Sequence, residues 1–243
     1  MSVTVIDAKG MHFQTLNGKI RELLDSGNGD IQIDNCEGQR YIGAGRAGLN
    51  LTINGTPGNA LGCYLNGERI LVNGNAQDAT GDTMSGGTMI IHGTSGDATG
   101  YGMRGGKMFI RGGVGYRAGI HMKQYRDLFP QIIVGGGTGN FLGEYMAGGI
   151  LVVLKLNGEK IGRFTGTGMH GGKIFIRGSE LPPEIPKQVA VSKATRENLA
   201  EIEPLIRDFT GYFGGDADKL LSDEYILLKP DSNNPYTQLY VNN

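Results

Sequence analysis

The sequence predicts an all-β protein, a single-stranded parallel β-helix of about seven coils built on a 19-residue repeat. Three observations lead there. Glycine makes up 43 of 243 residues, where ordinary usage would give roughly 17. The glycines recur with a fixed period. The apolar residues between them come in short β-branched and aromatic runs rather than at helical spacing.

Gly43, Gly62, Gly81, Gly100 and Gly119 each follow the last by 19 residues, and Gly143 and Gly166 continue after steps of 24 and 23. Gly55, Gly74, Gly93 and Gly112 keep the same period in a second phase. The apolar runs LNLTING, RILVNG, TMIIHG, KMFIRG, QIIVGG and KIFIRG hold one phase as well. Nineteen residues of strand and turn cannot bury their own apolar face, but stacked copies share one continuous core. At about 4.8 Å per coil the stack would run on the order of 35 Å. Glycine suits the corners because it adopts positive φ at little cost and leaves room for the next coil. The longer steps mark insertions at 121–130 (HMKQYRDLFP) and 155–160 (KLNGEK), which should lie on the surface. Tyr125 and Phe129 in the first insertion are the candidate partner contacts.

The chain divides into an N-terminal strand and capping helix (1–28), the repeat domain (29–178), a proline-rich linker (179–191) and a C-terminal helical tail with a final strand (192–243). Thr15 is the expected N-cap of the first helix, Ile20, Leu23 and Leu24 its apolar stripe, and Gly27 its stop. In the tail, Leu199, Ile202, Leu205, Ile206, Phe209 and Phe213 repeat at helical spacing. Pro204 inside that pattern predicts two short helices or a kinked one. DADKLLSDE gives a further short helix capped by Asp216, YILLKP a last strand, and SNNPYTQLY a tail.

Stacking converts phase into ladders. Asn54, Asn73, His92 and Arg111 should lie above one another, as should Arg40, Asn59, Asp78, Asp97, Tyr116, Asn140 and Arg163. Asp78 and Asp97 are the weak candidates for a cation or for acid/base work, as in a stand-alone solenoid enzyme acting on carbohydrate. Their alternative role is as turn aspartates bonding local amides.

Other chemistry finds little support. Gly100, Gly102 and Gly105 fit G-x-G-x-x-G, but a strand rather than a helix follows, and the string recurs at Gly166, Gly168 and Gly171. The four histidines have no ligand spacing, and Cys36 and Cys63 form no metal motif. A net charge of −1 argues against nucleic acid or an anionic membrane as partner. No apolar stretch approaches the length of a membrane span, so a cytoplasmic protein is expected.

The stretch GNAQDATGDTMSGG (74–87) resembles the C-terminal domain of the glutamate synthase large chain, the GXGXG domain, with its hallmark G-x-A-N-D-x-x-G-K-G-x-S-G-G. Gly74, Ala76, Asp78, Gly81, Ser85, Gly86 and Gly87 match. Gln77 and Asp82 replace the usual Asn and Lys. Thr83 stands at the motif's second glycine, which Gly102 and Gly168 keep in other coils. EGQRYIGAGRAG (37–48) is similar to the family's G-Q-S-F-G-A-F through Gly38, Gln39 and Gly43. LAEIEPLIRDFTGYFGGDADKLL resembles its helical region with T-G-S-x-x-A, and YILLKPDSNNPY its closing strand.

The resemblance implies a right-handed β-helix acting as a non-catalytic spacing and assembly module. It implies partners too: a glutamine amidotransferase and a synthase carrying FMN and an iron–sulfur cluster. No catalytic, cofactor-binding or metal residues are implied in this chain, which lacks an N-terminal cysteine nucleophile after Met1 and a cysteine cluster. One of the subunits of formylmethanofuran dehydrogenase resembles the same repeat and leaves a second host complex open. Self-association is open as well.

Overall fold

The computed structural model describes residues 3–231; the sequence tail SNNPYTQLY lies outside them. Strand β1 (Thr4–Asp7) leads into helix α1 (Phe13–Asp25). The winding follows with β2 (Asp30–Glu37), β3 (Asn50–Thr56), β4 (Asn66–Asn73), β5 (Gly86–Ile91), β6 (Lys107–Ile110), β7 (Gln131–Val134), β8 (Ala147–Val153) and β9 (Gly171–Arg177). The chain ends with β10 (Val189–Lys193), α2 (Arg196–Phe213), α3 (Ala217–Ser222) and β11 (Tyr225–Pro230). All described strands join one sheet in the order β1 to β9, then β11, then β10. Strands β1 to β9 pair in parallel, and β11 reverses the direction against β9.

The fold is a β-solenoid of about eight turns, one more than the glycine series suggests. Seven corner glycines join eight strands, β2 to β9, so a count of corners falls one short.

Two rows of each strand face inward. Ile31, Leu51, Ile70, Met89, Met108, Ile132, Leu151 and Ile174 form one row in strict register. Ile33, Ile53, Val72, Ile91, Ile110, Val134, Val153 and Ile176 form the other, and all sixteen residues are buried. Each coil exposes this apolar surface above and below, so only neighbouring coils can bury it.

The outer row between them changes character along the stack. It reads Gln32, Thr52, Leu71, then Ile90, Phe109, Ile133, Val152 and Phe175. From β5 onward this outer face is apolar and buried. Helix α2 is what buries it, through Ile202, Leu205, Ile206 and Phe209. Its start lies over β9, where Lys173 pairs with Glu201. Its end reaches β5, where Phe213 meets His92 edge-on with 5.1 Å between ring centroids. The sequence carries the cue: strands β2 and β3 alternate (DIQID, NLTIN), whereas β5 to β9 read as unbroken apolar runs, as strands buried on both faces do.

Pro204 lies inside α2, which runs as one element from Arg196 to Phe213 rather than as two helices. It falls in the third turn, and a capping box between Thr195 and Asn198 fixes the start. Asp216 caps α3 by accepting from Lys219 N.

Helix α1 starts earlier than its sequence suggests. Its N-cap is His12, and Thr15 lies inside the first turn. The earlier start places Leu16 one turn before Ile20, and both are buried against the interior row. At the other end, Ile185 and Val189 from the 179–191 stretch pack on the interior cluster, so that segment closes the last coil as well as connecting it. Among the described residues no helix is long and apolar enough to cross a membrane.

Candidate partner-binding face and the winding motif

Each corner alternates left-handed residues in a fixed pattern. The seven phase glycines have φ between +59° and +77°. The residues two before each, Tyr41, Ala60, Ala79, Ala98, Arg117, Phe141 and Phe164, also lie at positive φ. So do the residues two after, which include Tyr64, Thr83, Gly102, His121 and Tyr145. The alternation points successive amides in opposite directions along the stack. Ala98 N donates up to Tyr116 O (2.7 Å), Gly100 N down to Thr80 O (2.8 Å) and Gly102 N up to Ile120 O (2.8 Å). Corner backbone is thereby hydrogen-bonded to the coils on both sides, as buried backbone must be.

This pattern settles the role of the G-x-G-x-x-G stretch that begins at Gly100. Tyr101 N donates to Ala98 O, Met103 N to Gly100 O, and Arg104 N and Gly105 N to Met84 O. With Gly100 and Gly102 already engaged, the amides of residues 100–105 all donate to carbonyls, and none is left to cradle a phosphate. A Cβ on Gly100 would collide with Ile132 Cδ1.

Asp78 and Asp97 lie one coil apart, as their phase requires. Asp78 Oδ1 accepts from Asp97 N (2.8 Å), and Asp97 Oδ1 from Tyr116 N (2.8 Å). Asn140 Oδ1 takes the amide of Arg163 in the same way (2.9 Å). The ladder therefore caps backbone amides of the coil above. Its companion ladder links Asn73 Nδ2 to Asn54 Oδ1 (2.7 Å) and Asn54 Nδ2 to Asp34 Oδ1 (2.6 Å). Among the described residues no three His, Cys, Asp or Glu side chains gather as a metal-binding group.

Both thiols are buried, and burial pushes Cys36 up to about 11 and Cys63 upward as well. Cys36 belongs to a polar knot centred on Gln39, itself buried. Gln39 Nε2 donates to Ala8 O (2.9 Å) and Met11 O (3.1 Å), while its Oε1 accepts from Glu37 N (2.7 Å) and Cys36 Sγ (3.4 Å). The knot ties the α1 approach to the first coil. His92 sits in its ladder slot partly buried, and burial, then the nearby Arg111, lowers its pKa.

The 121–130 insertion forms a small hairpin in which Tyr125 and Leu128 exchange backbone bonds. Tyr125 is 48% and Phe129 40% exposed. At the start of the same insertion, Lys123 lines a groove of about 310 Å³ with Tyr101, Arg104, His121, Tyr145 and His170. His121 stacks on Tyr145 with 5.2 Å between centroids and 12° between planes, and Tyr101 meets His121 edge-on at 5.8 Å. Arg104 Nη1 donates to Gly102 O (2.6 Å) and His121 O (3.0 Å), which holds the guanidinium against the groove wall.

The GXGXG motif family matches residues 32–230. The chain belongs to this family, that of the C-terminal domain of the glutamate synthase large chain. It is also 44% identical to an uncharacterized protein of Methanocaldococcus jannaschii, over 99% of this chain and 97% of the relative.

Membership gives the GXGXG hallmark a physical meaning here. Gly74 and Gly87 lie where a Cβ would strike the backbone of the coil below, at Gly55 and Gly67. Ala76 is buried, Asp78 caps an amide, and Gly81 is a corner. Thr83 occupies the motif's second glycine position at φ +52°, steadied by its Oγ1 bond to Asp82 Oδ1 (2.7 Å). The G-x-G pair of the motif thus falls on alternate left-handed positions of the corner, where glycine carries no Cβ penalty, whereas Gly74 and Gly86 are demanded by close approach of the neighbouring coil.

Proposed function

We propose that this chain is a non-catalytic structural and assembly subunit of a glutamate synthase-type complex. It would hold a glutamine amidotransferase against a synthase that carries FMN and an iron–sulfur cluster. The observation that supports this best is that the family's hallmark residues, Asp78 included, are spent on winding and stacking rather than on a cleft. The cluster is assigned to the partner because two cysteines fall short of the four thiolates such centres use, and Cys36 and Cys63 are buried in different coils.

Co-expression with amidotransferase and FMN-synthase subunits from the same source tests the reading. The three should elute as one complex. Omitting this chain should depress glutamine-dependent glutamate formation while sparing the ammonia-dependent reaction of the synthase. Full glutamine-dependent activity without it, and no co-elution, would overturn the proposal.

A further inference from the structure

We infer that the groove formed by Tyr101, Arg104, His121, Lys123, Tyr145 and His170 docks an acidic segment of a partner protein. The inference rests on the assembly role proposed above and names the surface and the chemistry that would serve it.

Charge is the first reason. The chain is close to neutral overall, with a net charge of −1, yet this groove brings the two cations Arg104 and Lys123 together with no carboxylate in its lining. Of the nearby acids, Glu144 pairs with Arg117 Nε at 2.8 Å, Asp82 accepts from Thr83 Oγ1 at the groove's edge, and Asp127 lies on the hairpin beyond Lys123. Lys123 Nζ has no ion-pair or hydrogen-bond partner among the described residues, so its charge is available to an incoming carboxylate.

Pre-organisation is the second reason. His121 and Tyr145 both sit at positive φ in corners bonded to the adjacent coils, so the backbone fixes where their rings project. Arg104 is tethered through Nη1 alone, which leaves Nε and Nη2 as donors. Tyrosine and arginine on a rigid support are the residue types that concentrate binding energy at interfaces.

The third reason is continuity. Tyr101 and Tyr145 are 41% and 36% exposed, and the hairpin bearing Tyr125 and Phe129 runs on from Lys123. Together they extend a small groove into a surface suited to a polypeptide rather than a pocket that encloses a small anion. The apolar outer sheet face is the obvious alternative dock, but α2 already covers it from β5 onward.

Backbone amide NMR of the full chain, titrated with a synthetic polyglutamate peptide, reads the surface directly. Shifts should centre on residues 101–104, 121–123, 145–147 and 170 and weaken with added salt. Lys123→Glu, which breaks no contact, should weaken the apparent affinity at least about fivefold, in keeping with loss of one charged contact. Arg104→Gln should weaken it too.

Shifts centred elsewhere, or an unchanged affinity for Lys123→Glu, overturn the inference. So does free glutamate or phosphate acting on the same residues at lower concentration, which would make the groove a small-anion site. With the purified amidotransferase and synthase subunits, equal binding by Lys123→Glu and wild type overturns the surface and leaves the assembly role standing. If wild type binds neither of them, the assembly role fails, and the peptide titration decides the groove by itself.

Discussion

Phe109, at the centre of the outer face of β6, meets Tyr212 of α2 edge-on with 5.0 Å between ring centroids. Phe109 is fully buried, although it points away from the solenoid interior. It therefore reports on whether α2 is docked. Phe109→Ala should destabilise by about 3–5 kcal/mol, the usual cost of emptying a buried aromatic site. Thr52→Ala, in the same outer row but beyond the helix, should cost less than about 1 kcal/mol. Urea midpoints of the two variants test this; equal shifts would mean that α2 does not cover the face.

Gly100 joins two constraints that separate variants can pull apart. Its φ of +70° disfavours any Cβ by about 1–2 kcal/mol, and Ile132 fills the space that a Cβ would take. Overpacking adds about 1–3 kcal/mol. Gly27 has a similar φ of +81° but open space around it. Gly100→Ala should therefore lose clearly more stability than Gly27→Ala, and Ile132→Val should recover part of the difference in the double variant. Additive effects of the two substitutions would contradict the contact.

The winding was legible because each corner imposes the same local demand every 19 residues, and glycine answers it visibly. The non-glycine left-handed positions were hidden. Ala79 and Ala98 carry no compositional mark, and Thr83 reads as a mere departure from the motif. The α2 cover was missed because a continuous apolar run such as KMFI does not say what lies on its second face. The groove was hidden by the insertions. Carrying the phase through steps of 19, 24 and 23 puts Arg104, Lys123, Ala147 and His170 in one column, but a strict 19-residue count loses it at residue 123.

Asp97 distinguishes a backbone cap from a metal ligand. Its Oδ1 accepts from Tyr116 N, and an amide oxygen can do the same. Asp97→Asn should be close to neutral, whereas Asp97→Ala should cost about 0.5–1.5 kcal/mol, the net worth of one hydrogen bond. Calorimetric titration with calcium should give no heat for either variant or for wild type. Heat in wild type that vanishes in Asp97→Asn would restore the cation role.

Tyr125 and Phe129 project from the hairpin at residues 121–130, and Gly105 and Gly148 make room beneath it. A Cβ on either would approach Leu128 Cβ (2.9 Å) or Gln124 N (2.7 Å). The exposed rings contribute little to the fold. Replacing both with alanine should leave stability within about 1 kcal/mol, as surface substitutions usually do, while weakening complex assembly. A collapse in thermal stability would show that the rings are part of the core.

Alkaline pH should loosen the first coil before the rest. Burial holds Cys36 at about 11 against an ordinary 9.0, so the folded state keeps a proton that the unfolded chain releases. The stabilisation from the neutral thiol is therefore complete below about pH 9 and is lost as pH rises towards 11. Cys36 shares its knot with Gln39, which also bonds Ala8 and Met11, so the loss should appear as exposure of the α1 end. Hydrogen exchange compared between pH values on either side of 9 should show residues 8–39 losing protection, and Cys36→Ala should flatten that dependence. Loss centred on β9 and β11 would instead point to Tyr225, whose phenol is likewise held protonated by burial beside the last coil, and equal loss along all coils would overturn the local reading.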